Sequence, residues 1–339
     1  MIDLRSDTVT RPTAHMLETM LRAKVGDDVF GEDPTISELE NYTATLFGKE
    51  AGLFCPSGTM TNQIAIKVHT QPGDELICDV NSHIYNYEGG GISFNSGVQA
   101  KLLHGNEGRL SAELIEPAIN GNFDWLTRTS LVSLENTVNR AGGSYYRIEQ
   151  IKPIYDLCKS RNLKLHLDGA RIFNALEETK DKPTDIGNYF DTISVCLSKG
   201  LGAPVGSLLL GDAKSIQHAR RIRKVFGGGM RQAGFLAAAG LYALKNNVKR
   251  LKEDHQKAKA LEGGLKELEL VESILPVYTN IVIFNLKKEL MTGDTFEKKL
   301  AEKKIRVSAF GKQTIRLVTH LDFTDEMLVE TLRALKGMA

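Results

Sequence analysis

The stretch from Ser194 to Ser207, SVCLSKGLGAPVGS, sets one lysine, Lys199, between an apolar run and a glycine-rich loop. Thr192 to Leu197 reads as a buried strand, and Gly200, Gly202 and Gly206 around Pro204 deny the next segment a helix. Lys199 therefore stands at a strand end. A lysine held there can be partly desolvated and lose its proton near neutral pH, and the resulting amine can form a Schiff base with an aldehyde. Read alone, the tripeptide SKG also suits a hydrated loop lysine.

Two other segments bear on that choice. In HLDGAR, His166 to Arg171, the leucines at 163, 165 and 167 alternate with polar residues and run into Asp168, 31 positions before Lys199. That distance accommodates a helix and a crossover, so two nearby strands would deliver an acid and an amine to one sheet edge. A turn-capping aspartate is the alternative. In CPSGTMTNQ, Cys55 to Gln63, a short strand breaks at Pro56 and Gly58 and restarts as a helix near Thr59. Free N–H groups at such a helix start, with hydroxyls from Ser57, Thr59 and Thr61, suit a phosphate; an ordinary helix cap reads the same way. Neither G-x-x-x-x-G-K-[ST] nor a strand followed by G-x-G-x-x-G occurs, so nothing favours a nucleotide over a single phosphate. An amine, an acid and a phosphate cup together match the needs of pyridoxal phosphate chemistry. There a lysine holds the cofactor and an aspartate keeps its ring nitrogen protonated, so that the ring accepts electrons.

In this chain order, Ser57 to Thr59, Asp168 and Lys199 resemble the fold-type I pyridoxal phosphate enzymes. The strings LRSDTVTRP from Leu4, GDDVFGEDPT from Gly26, PSGTMTNQ from Pro56, HIYNYEGGG from His83, SLENT from Ser133, HLDGAR from His166, SKGLGAPVGS from Ser198, GGGMRQAG from Gly227 and RLVTHLD from Arg316 resemble those of the bacterial low-specificity L-threonine aldolases. They lie in order from residue 4 to residue 322. The resemblance implies an aspartate aminotransferase-like α/β fold, with a mostly parallel seven-stranded sheet in a large domain and a small C-terminal α/β domain. It implies pyridoxal 5′-phosphate as cofactor and cleavage of β-hydroxy-α-amino acids to glycine and an aldehyde. By the same resemblance Lys199 carries the cofactor, Asp168 pairs with its ring nitrogen, and Ser57, Gly58 and Thr59 hold its phosphate. His83 stacks on the ring face beside the reacting carbon, and Ser6, Arg171 and Arg316 grip the substrate carboxylate, Arg171 also bordering the cofactor. Arg231 approaches the phosphate, contributed by a neighbouring subunit. No residue is assigned to a metal.

Three positions depart from the family pattern. The stretch Asn122 to Trp125 lacks the histidine that many relatives carry before SLENT, Val138 and Asn139 stand where a histidine is common, and Thr61 replaces a usual glycine. The base for the β-hydroxyl proton is then His83 or a bound water, and substrate preference could differ.

These residues need a scaffold that brings distant segments to one edge. Apolar runs at Gly52 to Cys55, Glu75 to Cys78, Ser130 to Leu134, Leu163 to Leu167, Thr192 to Leu197 and Ser207 to Leu210 alternate with helical patterns, which predicts a mostly parallel sheet covered by helices. A long helical region is expected from about Gln232 to Leu268. Strands near Asn280 to Leu286 and Thr314 to Thr319 and a helix from about Asp325 to Leu335 follow. The expected division is residues 1–250 for an N-terminal arm and cofactor-binding domain and 251–339 for the small domain, with Arg316 reaching the site between them.

The chain has 339 residues, 42% hydrophobic and 25% charged, with net charge +1. No strong field points to nucleic acid or membrane. No run of eighteen apolar residues and no basic-then-apolar leader is present, which suggests a cytoplasmic protein. Cys55, Cys78, Cys158 and Cys196 are isolated and read as small core residues. The family implies a homotetramer with sites at subunit interfaces; the arm at residues 3–12 and the glycines at 227–229 are the segments placed to make such contacts. Another pyridoxal phosphate lyase, an aminotransferase and a cofactor-binding protein without turnover are the competing readings.

Overall fold

The computed structural model describes residues 1–338. A seven-stranded sheet is built from β1 (Ala51–Cys55), β2 (Asp74–Asp79), β3 (Gln99–Leu103), β4 (Arg128–Glu135), β5 (Lys164–Gly169), β6 (Thr192–Cys196) and β7 (Ser207–Gly211). Its spatial order is β1-β7-β6-β5-β4-β2-β3. Only β7 runs against its neighbours, pairing antiparallel with both β1 and β6. Strands β2, β6 and β7 are buried at every position and β4 and β5 at all but the first, as expected of a sheet covered on both faces. The six apolar runs fall on β1, β2 and β4 to β7. The edge strand β3, QAKLL, does not advertise itself, because four of its residues are only half-buried and the fifth is exposed.

The long helical region is two helices, Gly234–Asn246 and Leu251–Lys266. Between them Asn247 turns its carboxamide to donate to the Leu201 carbonyl at 2.7 Å, tying the break to the loop after Lys199. A second, antiparallel sheet holds β8 (Val271–Ile274), β9 (Ile281–Leu286), β10 (Ser308–Ala309) and β11 (Thr314–Val318) in the order β10-β11-β9-β8. The last helix, Asp325–Lys336, and the helix Gly293–Glu302 share its core, which includes Phe284, Phe296, Leu317 and Leu335.

The N-terminal arm belongs to this second core. Ile2–Asp3 pairs in parallel with Ile305–Arg306, Ile2 and Leu4 are buried in the cluster, and Val318 donates its N–H to the Leu4 carbonyl at 2.8 Å. The chain's first residues are thus stitched to its last sheet, and residues 5–7 are delivered beside Arg316. All four cysteines are buried and unbridged; burial pushes the Cys55, Cys78 and Cys158 thiols up to about 12.

Candidate active site

The carboxyl ends of β1, β2, β4, β5 and β6 lead to Ser57, His83, Asn136, Asp168 and Lys199 respectively, which is the edge where an open α/β sheet gathers a ligand. Paired registers keep these ends level: Glu135 lies opposite Asp168, and Asp168 opposite Ser194. The helices Ile172–Thr179 and Pro183–Gly187 form the crossover between β5 and β6. Lys199 is half-buried, and its carbonyl accepts from Gly202 N–H at 2.8 Å, closing the turn that the glycines permit. Among the described residues its ammonium group makes no ion pair.

At one end of the site three carboxyl groups converge. Asp168 is 2% exposed and accepts from Asn62 Nδ2 at 2.9 Å and from Ala170 N–H at 3.1 Å. Asn62 Nδ2 also donates to Glu88 at 2.8 Å, and Glu88 lies 2.9 Å from His83 Nδ1. Glu135 takes the backbone N–H of His83 at 2.7 Å and that of Asn139 at 2.8 Å. Burial, helped by the charge of Asp168, pushes the Glu135 carboxyl up to about 7. For His83, burial opposes the charged ring, but the hydrogen bond to Glu88 and the charges of Asp168, Glu88 and Glu135 outweigh it, so its pKa lies above the ordinary value. His83, Glu88 and Asp168 each bring one donor atom within 4.8 Å of the others; Asn62 and Gln63 already fill part of that space as hydrogen-bond donors.

The other end is cationic. Arg171, at the N-terminus of the helix Ile172–Thr179, meets Asp7 through two parallel bonds of 2.7 Å, and both side chains are buried. Burial pushes the Asp7 carboxyl up, but the Arg171 guanidinium outweighs it and holds the group at about 2; the charge of Lys199 pulls the same way. Arg316, from β11, donates to the Arg5 carbonyl at 2.9 Å and to Asn139 Oδ1 at 2.9 Å, while its Nε is buried without a partner. Its guanidinium stacks 4.2 Å above the Phe310 ring. Asn139 Oδ1 also receives Arg171 Nη1 at 3.4 Å, so one neutral oxygen bridges the two arginines. Burial and the Arg171 charge lower the pKa of Arg316 to about 10. Tyr87 links the two ends: its ring lies 5.5 Å from that of His83, and Arg140 stands over both Tyr87 and Phe310.

Ser57 caps the helix Gly58–His69 by accepting from Met60 N–H at 3.1 Å. Gly58 and Thr59 occupy the first two helical positions, whose N–H groups have no intrahelical acceptor. Ser207, at the head of β7, keeps a buried Oγ without a partner, 3.6 Å from where a Cβ on Gly58 would sit. Ser6 caps the following turn and accepts from Thr8 N–H at 3.2 Å, between the two residues that hold the arginines. Arg231 is 53% exposed and ion-paired with Asp27 at 2.7 Å, and among the described residues its side chain bonds none of these groups. Asp7, Asn62, Glu88, Glu135 and Asn139 were not read as site residues from sequence, although Asp7, Asn62, Glu88 and Glu135 all lie inside the motif strings; Asn139 drew notice only as a departure from the family pattern.

Residues 3–289 match the β-eliminating lyase family. The chain belongs to that family. It is 43% identical over 331 residues to the low specificity L-threonine aldolase of Escherichia coli K12, covering 97% of each chain. It is 42% identical over 337 residues to low-specificity L-threonine aldolase 1 of Arabidopsis thaliana, covering 98% of this chain and 94% of the relative. A threonine aldolase structure from Leishmania major superposes with a TM-score of 0.85 at 21% identity, each chain covered in full. The lyase has the fold-type I architecture of pyridoxal phosphate enzymes.

The residues present fit that cofactor. An unpartnered buried hydroxyl at Ser207 beside the open helix start suits a phosphate, and a buried carboxylate at Asp168 suits a protonated ring nitrogen. The buried Asn136 carboxamide, unpartnered at both Oδ1 and Nδ2 at the end of β4, leaves further hydrogen-bonding capacity at the same edge.

Proposed function

We propose that this lyase is a pyridoxal 5′-phosphate-dependent low-specificity L-threonine aldolase, which cleaves L-threonine and L-allo-threonine reversibly to glycine and acetaldehyde. The observation that carries the reading is one strand edge holding Lys199 and Asp168, with His83 at its acidic end and the Arg171–Asn139–Arg316 cluster at its basic end. When bound, the cofactor supplies an aldehyde that condenses with amines and a ring that takes up the electron pair left by Cα–Cβ cleavage.

In this reading Lys199 supplies the amine that tethers the cofactor. Asp168, its second oxygen already held by Asn62, keeps a proton on the ring nitrogen. Gly58 and Thr59 N–H groups, with Ser57, hold the phosphate, and Arg231 of a neighbouring subunit approaches it. Arg316 and Arg171 bind the substrate carboxylate with Ser6, a task suited to planar guanidinium donors. That grip would aim the Cα–Cβ bond for cleavage, and His83, which would border the cofactor, would take the β-hydroxyl proton directly or through water. The protein works as a homotetramer in the cytoplasm.

The test is an absorbance spectrum of the purified protein, repeated after adding L-threonine or L-allo-threonine with acetaldehyde followed in a coupled assay. A visible cofactor band with acetaldehyde and glycine release supports the aldolase, and Lys199→Ala should lose both band and turnover. A band with keto acid and ammonia as products would assign a β-eliminating lyase in its place, and a protein without a band would overturn the reading.

A further inference from the structure

Glu88 lies outside the residues given roles above, yet its side chain is fully buried and accepts from three neighbours. Asn62 Nδ2 reaches its Oε1 at 2.8 Å, Gln63 Nε2 its Oε2 at 2.6 Å, and His83 Nδ1 its Oε1 at 2.9 Å. We propose that Glu88 is a positioning residue which, clamped by Asn62 and Gln63, holds the His83 imidazole with its proton on Nδ1, so that Nε2 is the free base of the site.

The directions of these bonds follow from their partners. Asn62 turns its Nδ2 towards two carboxylates, each able only to accept when ionised, and its Oδ1 towards His166 Nε2 at 3.1 Å. Burial drives the pKa of His166 down to about 4, so that ring is neutral. Its Nδ1 faces Thr192 Oγ1 at 2.9 Å, and its Nε2 carries the proton given to Asn62. Gln63 is oriented likewise, with Oε1 accepting from Asn95 Nδ2 at 3.3 Å and Nε2 left for Glu88. With both amides fixed, His83 Nδ1 faces an acceptor and must donate.

The backbone makes room for this clamp. A Cβ on Gly91 would lie 2.5 Å from Gln63 Cδ and Oε1, so a side chain there would push Gln63 off Glu88. This accounts for the last glycine of the EGGG run in terms of the clamp. The arrangement also joins the two acids: the two N–H bonds of Asn62 are divided between Glu88 and Asp168, so His83 and Asp168 are registered through one carboxamide.

The charged and titratable groups around His83 are Glu88 from the loop after its own short helix, His83–Asn86, Tyr87 at the C-terminal cap of that helix, Glu135 from the end of β4 and Asp168 from the end of β5, with Arg140 above Tyr87. Glu88 alone among them meets the ring nitrogen. Its loss removes the acceptor that favours Nδ1–H, and with it part of what raises the ring's pKa.

The proposal rests on the reading of His83 as the base, and its test separates the two. Carbethoxylation of His83 in the holoenzyme, followed across pH by peptide mass spectrometry, reports the unprotonated ring nitrogen without using turnover. In the wild type its midpoint should lie above the ordinary value of about 6.5, and in Glu88→Gln it should move to lower pH. In the same variant kcat should fall by about 10–100-fold, with KM changed less than about 3-fold, and the acidic limb of the kcat profile should shift in the same direction. In a His83→Asn background the added Glu88→Gln change should cost little. A wild-type midpoint at or below the ordinary value, which needs no variant to fold, would overturn the proposal, as would an unshifted midpoint in folded Glu88→Gln. Full activity in His83→Asn would remove His83 as the base, whatever the modification data show of Glu88.

Discussion

At one end of the strand edge three buried carboxyl groups, Glu88, Glu135 and Asp168, face one imidazole; at the other Arg171 is paired with the buried carboxylate of Asp7, and Arg316, bound to neutral oxygens, stands beside it with Arg140 close by. The two ends perturb their groups in opposite senses. The acidic end raises Glu135 and His83, and the basic end lowers Asp7 and Arg316. They also differ in construction. The acidic end comes from β2, β4 and β5 and the helices next to them, all parts of one sheet layer. The basic end joins Arg171 from that layer to Arg316 of the second sheet and to the arm at Arg5 and Asp7. A polar site of this kind suits a zwitterionic substrate: a carboxylate at the cationic end, proton handling at the other.

The severest test of the comparison is Asp7→Ala. Removing the one carboxylate leaves the Arg171 charge buried and uncompensated, which should cost about 3–5 kcal/mol of stability in urea unfolding. A loss below about 1 kcal/mol would show that Arg171 is held by other contacts. Next in size is Arg316→Ala. Loss of charged hydrogen bonds worth about 1.5–3 kcal/mol should lower kcat/KM for threonine by roughly 10–100-fold, chiefly through KM. Lysine should restore little, since it lacks the planar fork. An unchanged KM would move the carboxylate grip away from this end.

Opposite pKa shifts also predict opposite pH dependences. Asp7 is held at about 2, below its ordinary value of 3.8, so its contribution is present above that value and is lost as pH falls towards 2. Glu135 is raised to about 7 from 4.5, so between those limits the folded chain binds the extra proton and stability declines as pH rises. Urea midpoints across pH should show both slopes. Glu135→Gln should flatten the second alone, and a variant that retained it would place the titration on another group.

Legibility in the sequence followed the same division. Lys199, Asp168 and Ser57 to Thr59 each close an apolar run, so a period-two pattern and a breaking glycine locate them before any contact is known. The six inner runs were legible for the same reason, whereas β3 lacked a burial signal of its own. Arg316 was found through motif resemblance, because an arginine on a strand of a separate sheet carries no local mark of its partner. Glu88, Asn62 and Asp7 escaped notice although motif strings contain them. Asn62 and Asp7 are defined by partners far along the chain, Asn62 meeting Asp168 across 106 positions and Asp7 meeting Arg171 across 164, while Glu88 is defined by three donors, Asn62, Gln63 and His83, that only the fold gathers around it. An acid or amide in a polar string reads as solvated until the fold buries it, and the arm at residues 3–12, read as a segment for contacts between subunits, gives no sign in sequence of its pairing with Ile305–Arg306 in the same chain.

The smallest effect is expected at Asn139, where a neutral oxygen stands between the two cations. Arg316 Nη1 donates to it at 2.9 Å and Arg171 Nη1 at 3.4 Å, so it holds like charges side by side without neutralising either. Asn139→Ala removes that tether and leaves the Asp7 pair and the Arg5 carbonyl contact in place. A net hydrogen bond of about 0.5–1.5 kcal/mol translates into a KM for threonine raised roughly 2–10-fold, with kcat nearly unchanged. The sign is the informative part. If Asn139 orients the guanidiniums for an incoming carboxylate, KM rises; if its oxygen occupies the position that the carboxylate must take, KM falls, and the basic end would have to be redrawn with Asn139 as a competitor.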